Sequence, residues 1–348
     1  MPARSAGPSM RSGPRLAVMS ATTPPLRCLL AARPATVEAV NIARRPRVGH
    51  IAFLNCLPIY WGLARTGALL DVDLHRAPPD ELSRRLVAGD LDIGPITLVE
   101  YLRHADDLLL IPDPAVAADG PVLSVNLVTK TPLADLPAAP RVSLASTSRT
   151  GVLLGRMLLE DRYGRKPEYT VTAPDLDSAL KDADAAVLIG DEALRVHHDP
   201  AGNHVLDLAA EWKDWTGLPM VFAVWAVRRD YAEAHPGLVK DVHLAFRDSV
   251  QRSRDEIDEV VASAARWEPF PPAALAEYFA RLQFGLSERH LDGLREFASR
   301  ASRYADIEPG SAKLASRRLA LRADGPAFFA TLGEAFETKI CTEPEARL

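Results

Sequence analysis

The sequence predicts an α/β protein of two lobes with a helical C-terminal part, and three observations carry that prediction. Short apolar runs alternate with helix-periodic segments from residue 47 to about residue 228, the pattern of strands joined by crossover helices and hence of parallel sheets. The alternation breaks at 129–141, around Pro132 and Pro140, and restarts there as a second sheet would. From Arg229 onward only helical spacing remains. A strand-free segment must pack on an earlier sheet, most economically the first. The chain then crosses between lobes twice, near 127–131 and near 222–227, as hinge closure around a ligand requires.

Taken in order, Arg47 to Phe53 reads as a short buried strand bounded by Pro46 and Asn55. Pro58 opens a helix over 59–65, where its missing N–H is no loss. Residues 72–75 alternate like a strand. Pro79-Asp80-Glu81 starts an amphipathic helix through Leu82 and Leu86 that Gly89 ends. Residues 92–96 form the next strand, and Thr97 with Glu100 has capping-box spacing for the helix at 98–104. Strands follow at 108–111 and 122–129. The second half repeats the theme with strands at 141–145, 169–172, 185–189, 205–208 and 221–227, and helices at 152–163 and 175–181. Four helical segments close the pattern, at 239–254, 257–266, 273–282 and 288–303.

Bulk properties narrow the function. Of 348 residues, 47% are hydrophobic and 25% charged, an ordinary globular balance. With 41 basic against 46 acidic residues the net charge is −5, so no basic excess supports nucleic-acid or anionic-membrane partners. Cys28, Cys56 and Cys341 are sparse, odd in number and without metal spacing, which fits a reducing compartment. No apolar run approaches the ~20 residues of a membrane span. Residues 1–45 are rich in Arg, Ala, Pro and Ser, with Glu38 their one acid. They read as a disordered extension or an overlong start, since Met10 and Met19 could also initiate; a targeting peptide is the other reading. The sequence holds no Gly-x-Gly-x-x-Gly, P-loop, metal-ligand cluster or Gly-x-Ser-x-Gly elbow.

Ligands of α/β sheets sit at the carboxyl ends of strands, and four polar clusters fall there. Asn55 in Leu54-Asn55-Cys56 either orients a ligand through its carboxamide or is a turn residue. Thr97 in Gly94-Pro95-Ile96-Thr97 reads first as a helix cap, with neighbouring N–H groups able to meet an anion. The strongest signal is Ser146-Thr147-Ser148-Arg149-Thr150, which joins a strand to a helix start. It combines hydroxyls, unpaired amides and a guanidinium, the donors a carboxylate needs. Gly190 permits close backbone approach, and Asp191 beside it either caps a helix or accepts a ligand hydroxyl. Ser124, inside an apolar strand, either bonds backbone locally or faces a cleft. His50 reads as a core histidine, and Trp212, Trp215 and Trp225 as core fillers.

The order and spacing of these motifs resemble one family. Phe53-Leu54-Asn55-Cys56-Leu57-Pro58-Ile59-Tyr60-Trp61-Gly62-Leu63 and Leu91-Asp92-Ile93-Gly94-Pro95-Ile96-Thr97 are similar to segments of the chorismate dehydratases of the futalosine route to menaquinone. So are Ser146 to Thr150, Ala186-Val187-Leu188-Ile189-Gly190-Asp191 and the run from Trp212 to Pro219. The resemblance spans about 46–305; residues 1–45 and 306–348, a divergent tail, lie outside it. It implies a fold like that of type II periplasmic binding proteins, with residues 46–130 and 228–305 as lobe 1 and 131–227 as lobe 2. This discontinuous division leans on the resemblance more than on periodicity. It also implies a cytoplasmic enzyme without cofactor or metal that removes water from chorismate to give 3-[(1-carboxyvinyl)oxy]benzoate. The sister family making 1,4-dihydroxy-6-naphthoate shares the fold, but the Phe-Leu-Asn-Cys-Leu-Pro segment looks like the dehydratase side. A solute-binding protein without catalysis is the competing class.

For that reaction the expected assignments are as follows. The helix start from Ser146 to Thr150 holds one substrate carboxylate, with Arg149 a less secure partner, and Thr97 and Gly190 assist binding. Asn55 and Ser124 orient the reacting face. Asp191 is one candidate base, and the substrate's own side-chain carboxylate, which is preferred, is the other.

Overall fold

The computed structural model describes residues 45–145 and 148–304. The expectations for an N-terminal extension and a C-terminal tail therefore fall outside the described residues, apart from Arg45.

The first sheet begins with β1 (Arg47–Ile51), β2 (Asp73–Ala77) and β3 (Ile93–Thr97). Helix α1 (Leu57–Thr66) follows β1 through a 3-10 turn at Leu54–Cys56, α2 (Pro79–Ala88) follows β2, and α3 (Leu98–Arg103) follows β3. Prolines stand in the first turns of α1 and α2, and glycines with positive φ end both. β1 pairs in parallel with β2 and β3. The chain then runs along β4 (Leu108–Ala118), longer than the sequence suggested, and leaves for the second sheet.

There β5 (Val125–Thr129), β6 (Arg141–Ala145), β7 (Glu168–Thr172), β8 (Ala185–Ile189) and β9 (His204–Asp207) alternate with α4 (Arg149–Met157), α5 (Leu176–Leu180), α6 (Gly190–His198) and α7 (Leu208–Thr216). The return strand β10 (Met220–Arg228) leads into α8 (Arg229–Ala234), α9 (Pro236–Asp255), α10 (Ile257–Ala264), α11 (Pro272–Arg281) and α12 (Glu288–Ala301).

The strand orders are β2-β1-β3-β10-β4 and β7-β6-β8-β5-β9. Each sheet thus has three neighbouring parallel strands and one inserted antiparallel strand. β10 runs antiparallel to β3 and β4, and β5 antiparallel to β8 and β9. Both sheets are mixed rather than parallel throughout. The inserted strand is in each case the one delivered by a crossing. Sheet membership accordingly changes at 119–124 and 217–219, earlier in both cases than the crossings read near 127–131 and 222–227. An apolar strand buried on both faces carries no mark of which sheet it enters.

Helices α8 and α9 of the C-terminal part pack on the first sheet's elements, while α12 also meets the second sheet's helices, Phe297 lying against Trp212 of α7. Gly62 of α1 lies against α9 so closely that a Cβ there would stand 2.5 Å from Ser249 Cα. Ser249 Oγ accepts from the N–H groups of Gly62 and Leu63 and donates to Ile59 O. Trp212 and Trp225 are fully buried, as core fillers should be.

Candidate functional site

A cavity opens where the carboxyl ends of strands from both sheets meet. Asn55, Thr97, Ser124, Ser148 and Gly190 line it together. Ile51, Phe53, Val116, Val122, Ile189 and Phe222 supply much of its apolar wall. Ser146 and Thr147 lie outside the described residues.

Two lining groups have unmet hydrogen-bonding capacity. Asn55 Oδ1 and Thr97 Oγ1 are buried and without a hydrogen-bond partner, a costly arrangement in an apolar wall unless a ligand meets them. Thr97 corrects the capping expectation, because its side chain makes no cap bond to α3. Glu100, expected in a capping box, instead pairs with Arg103 at 2.6 Å and Arg149 at 3.3 Å. Ser148 caps α4 by accepting from Gly151 N at 3.4 Å while still lining the cavity.

Ser124 sits at the end of the first crossing, and its setting is dictated from several sides. Leu123 before it has φ 65, a left-handed conformation that costs a branched residue about 1–2 kcal/mol. Asp207 holds that turn by accepting from Val122 N at 2.9 Å and Leu123 N at 2.6 Å. The same carboxylate caps α7 through Ala209 N and Ala210 N. Asn126 donates to Leu123 O at 2.8 Å. Gly190 N–H donates to Ser124 O at 2.8 Å, and Tyr278 O–H of α11 donates to Ser124 Oγ at 2.9 Å. Tyr278, Asp207 and Asn126 escaped the sequence reading. Their spacing marks them as helix core, helix cap and strand interior, and nothing local reveals a shared partner.

Gly190 has φ 68, and a Cβ there would lie 3.1 Å from the Phe53 ring. Asp191, next in α6, is not among the lining residues. Its Oδ1 accepts from Leu54 N–H at 3.0 Å, so the carboxylate is tied to the turn that carries Asn55. Burial raises its pKa to about 6, against the lowering effect of the Leu54 bond. Arg149 and Thr150 also stand apart from the lining. Arg149 reaches Glu100, and the fully buried Thr150 Oγ1 accepts from Val99 N at 3.1 Å, so both join α4 to α3. His50 stacks on Tyr60 at 3.9 Å, and burial first, then Arg76, lowers its pKa to about 4. The Cys56 thiol is pushed well up by burial, which keeps it unreactive.

Among the described residues, no Lys, Arg, His, Asp or Glu lines the cavity. Three helix starts border the cavity, at Pro79 of α2, Ser148 of α4 and Gly190 of α6, and helix starts present unpaired backbone N–H groups that favour anions. The arrangement can hold carboxylates by hydroxyls and backbone amides and can exclude water from a reacting ring. Among the described residues no helix is long and apolar enough to cross a membrane, and no group of three His, Cys, Asp or Glu side chains is placed to hold a metal ion.

Comparison with known proteins places this architecture. A family model described as menaquinone biosynthesis matches residues 46–303. A chorismate dehydratase of Thermus thermophilus is 34% identical over 270 residues, covering 73% of this chain and 94% of that one. A chorismate dehydratase of Campylobacter jejuni is 28% identical over 180 residues, covering 50% of this chain and 64% of the relative. The periplasmic aliphatic sulphonate binding protein SsuA of Escherichia coli superposes with a TM-score of 0.55 at 18% identity, over 78% of this chain and 94% of that structure. The fold is therefore that of the periplasmic binding proteins, and the chain belongs to the menaquinone-biosynthesis family.

Proposed function

We infer that this chain dehydrates chorismate to 3-[(1-carboxyvinyl)oxy]benzoate and water, the entry step of the futalosine route to menaquinone. The observation that carries the reading is the 34% identity to a chorismate dehydratase along 94% of that enzyme. The cavity supports it with a wall of hydroxyls, one carboxamide and helix starts around an apolar floor. The two sheets and their helices act as the two lobes of a closing cleft, and the enzyme works in the cytoplasm.

In this reading the start of α4 with Ser148 holds one substrate carboxylate, and Thr97 and Gly190 border the bound ring. Arg149 and Thr150 serve closure by joining α4 to α3. The reaction breaks a C–H bond at the ether-bearing ring carbon. That electron pair forms a new C=C bond as the adjacent C–O bond breaks, and the departing hydroxide leaves as water with the proton that the base removed from carbon. Aromatisation supplies the driving force, so the protein's task is orientation and exclusion of water. Asn55 Oδ1 accepts from the ring hydroxyl, and Ser124 donates to its oxygen as charge develops there. The base is the substrate's own side-chain carboxylate, which hangs beside the proton to be lost. Asp191 is the alternative base, and its hydrogen bond to Leu54 N favours the substrate-assisted route.

Purified protein incubated with chorismate tests the reading. The expected product is aromatic and lighter by one water. Unchanged chorismate, with tight binding of another solute, overturns it in favour of a binding protein.

A further inference from the structure

We propose that Tyr278 is a positioning residue that makes Ser124 a dedicated hydrogen-bond donor to the substrate. The inference rests on the dehydratase reading of the cavity. Tyr278 is fully buried in α11, one of the helices of the strand-free C-terminal part, and its hydroxyl donates to Ser124 Oγ at 2.9 Å. A serine hydroxyl has one proton and two lone pairs. With one lone pair taken by Tyr278, the Ser124 proton remains to be directed, and Ser124 lines the cavity. The serine main chain is held as well, through Gly190 N on its carbonyl and through the Asp207 and Asn126 bonds that fix Leu123. Little freedom is left except rotation of that hydroxyl, and the tyrosine sets it.

Polarity runs one way along the chain Tyr278 to Ser124 to substrate oxygen. Each donated bond strengthens the next. Burial pushes the Tyr278 hydroxyl far above its ordinary pKa, so it remains protonated and a donor across the working pH range. Tyr278 touches no reacting atom in this scheme and acts only through Ser124.

The test is a double-mutant cycle on chorismate turnover, with thermal unfolding of each variant measured alongside. Tyr278→Phe is expected to lower kcat about tenfold, the size of one ordinary hydrogen bond, with KM within about twofold. Ser124→Ala lowers kcat at least as far, and the double variant matches Ser124→Ala alone, because Tyr278 has nothing left to act on. Tyr278→4-aminophenylalanine keeps the ring shape and a donor, and is expected to hold kcat within about threefold of the unaltered protein; it also serves if the phenylalanine variant does not fold. Additive losses, an active protein indifferent to Tyr278→Phe, or an inactive 4-aminophenylalanine variant that unfolds normally overturns the inference while leaving the dehydratase reading in place. An unaltered protein that leaves chorismate intact overturns both.

Discussion

Asp191 Oδ1 lies 3.0 Å from the backbone nitrogen of Leu54, a bond between the start of a helix on the second sheet and the turn after the first strand of the first sheet. The residue that follows Leu54 is Asn55, which lines the cavity. The bond therefore ties the start of α6 to the turn that carries Asn55. Asp191→Asn keeps an oxygen acceptor and is expected to retain kcat within about fivefold, whereas Asp191→Ala loses about 10- to 100-fold, the range of a buried bond to a charged group. Steady-state kinetics of the two variants separates the roles. If Asp191→Asn is as dead as Asp191→Ala while still binding chorismate, Asp191 is the base.

The same carboxylate makes a pH prediction. Burial raises its pKa from 3.8 to about 6, so the folded protein holds that proton more tightly than the unfolded chain. Its contribution to stability is complete below about pH 3.8 and is lost as pH rises through about 6. The hydrogen bond to Leu54 changes in the opposite sense, because the ionised carboxylate is the stronger acceptor. Activity is expected to rise through about pH 6 in the unaltered protein and to lose that inflection in Asp191→Asn. His50, held at about 4, adds no inflection between pH 5 and 8. A profile identical in both proteins contradicts this account.

Gly190→Ala tests the close approach of the helix start to Phe53. The positive φ and a Cβ at 3.1 Å from the ring both oppose a side chain. Urea unfolding should show a loss of about 1–3 kcal/mol, with chorismate affinity falling as Phe53 is displaced into the cavity. A variant of native stability and affinity would show that the ring moves aside freely.

Much of this site was legible before any coordinates. Asn55, Thr97, Ser148 and Gly190 lie far apart in sequence, yet all read as strand-end or turn residues and all line one cavity, whereas Ser124, which lines it too, reads as a residue inside a strand with its role open. Strand-to-helix junctions have strong local signatures, and α/β topology gathers them on one edge. Partner choice was not legible. The Arg149 guanidinium pairs with Glu100, an acid on another helix that leaves no mark near residue 149. Tyr278 reads as one more apolar-face residue of an amphipathic helix, and only folding brings its hydroxyl to Ser124. Likewise β5 and β10 lie on the other sides of the crossings from those expected, since Val125–Thr129 is buried throughout and Met220–Arg228 is apolar along nearly its whole length, so that either strand suits either sheet.

Asn55→Ala is expected to lower kcat on the order of 100-fold, the usual effect of removing one preorganised polar group from a reacting centre. KM should change much less, because the proposed reading gives the carboxylates to helix starts and hydroxyls. Equal losses in kcat/KM through KM alone would reduce Asn55 to a binding residue.

Mass spectrometry of chorismate incubated with the purified protein addresses the central claim most directly. The account predicts conversion to a species one water lighter whose ring protons resonate in the aromatic region of the NMR spectrum. Chorismate recovered unchanged from folded protein, beside tight retention of some other solute, would contradict it.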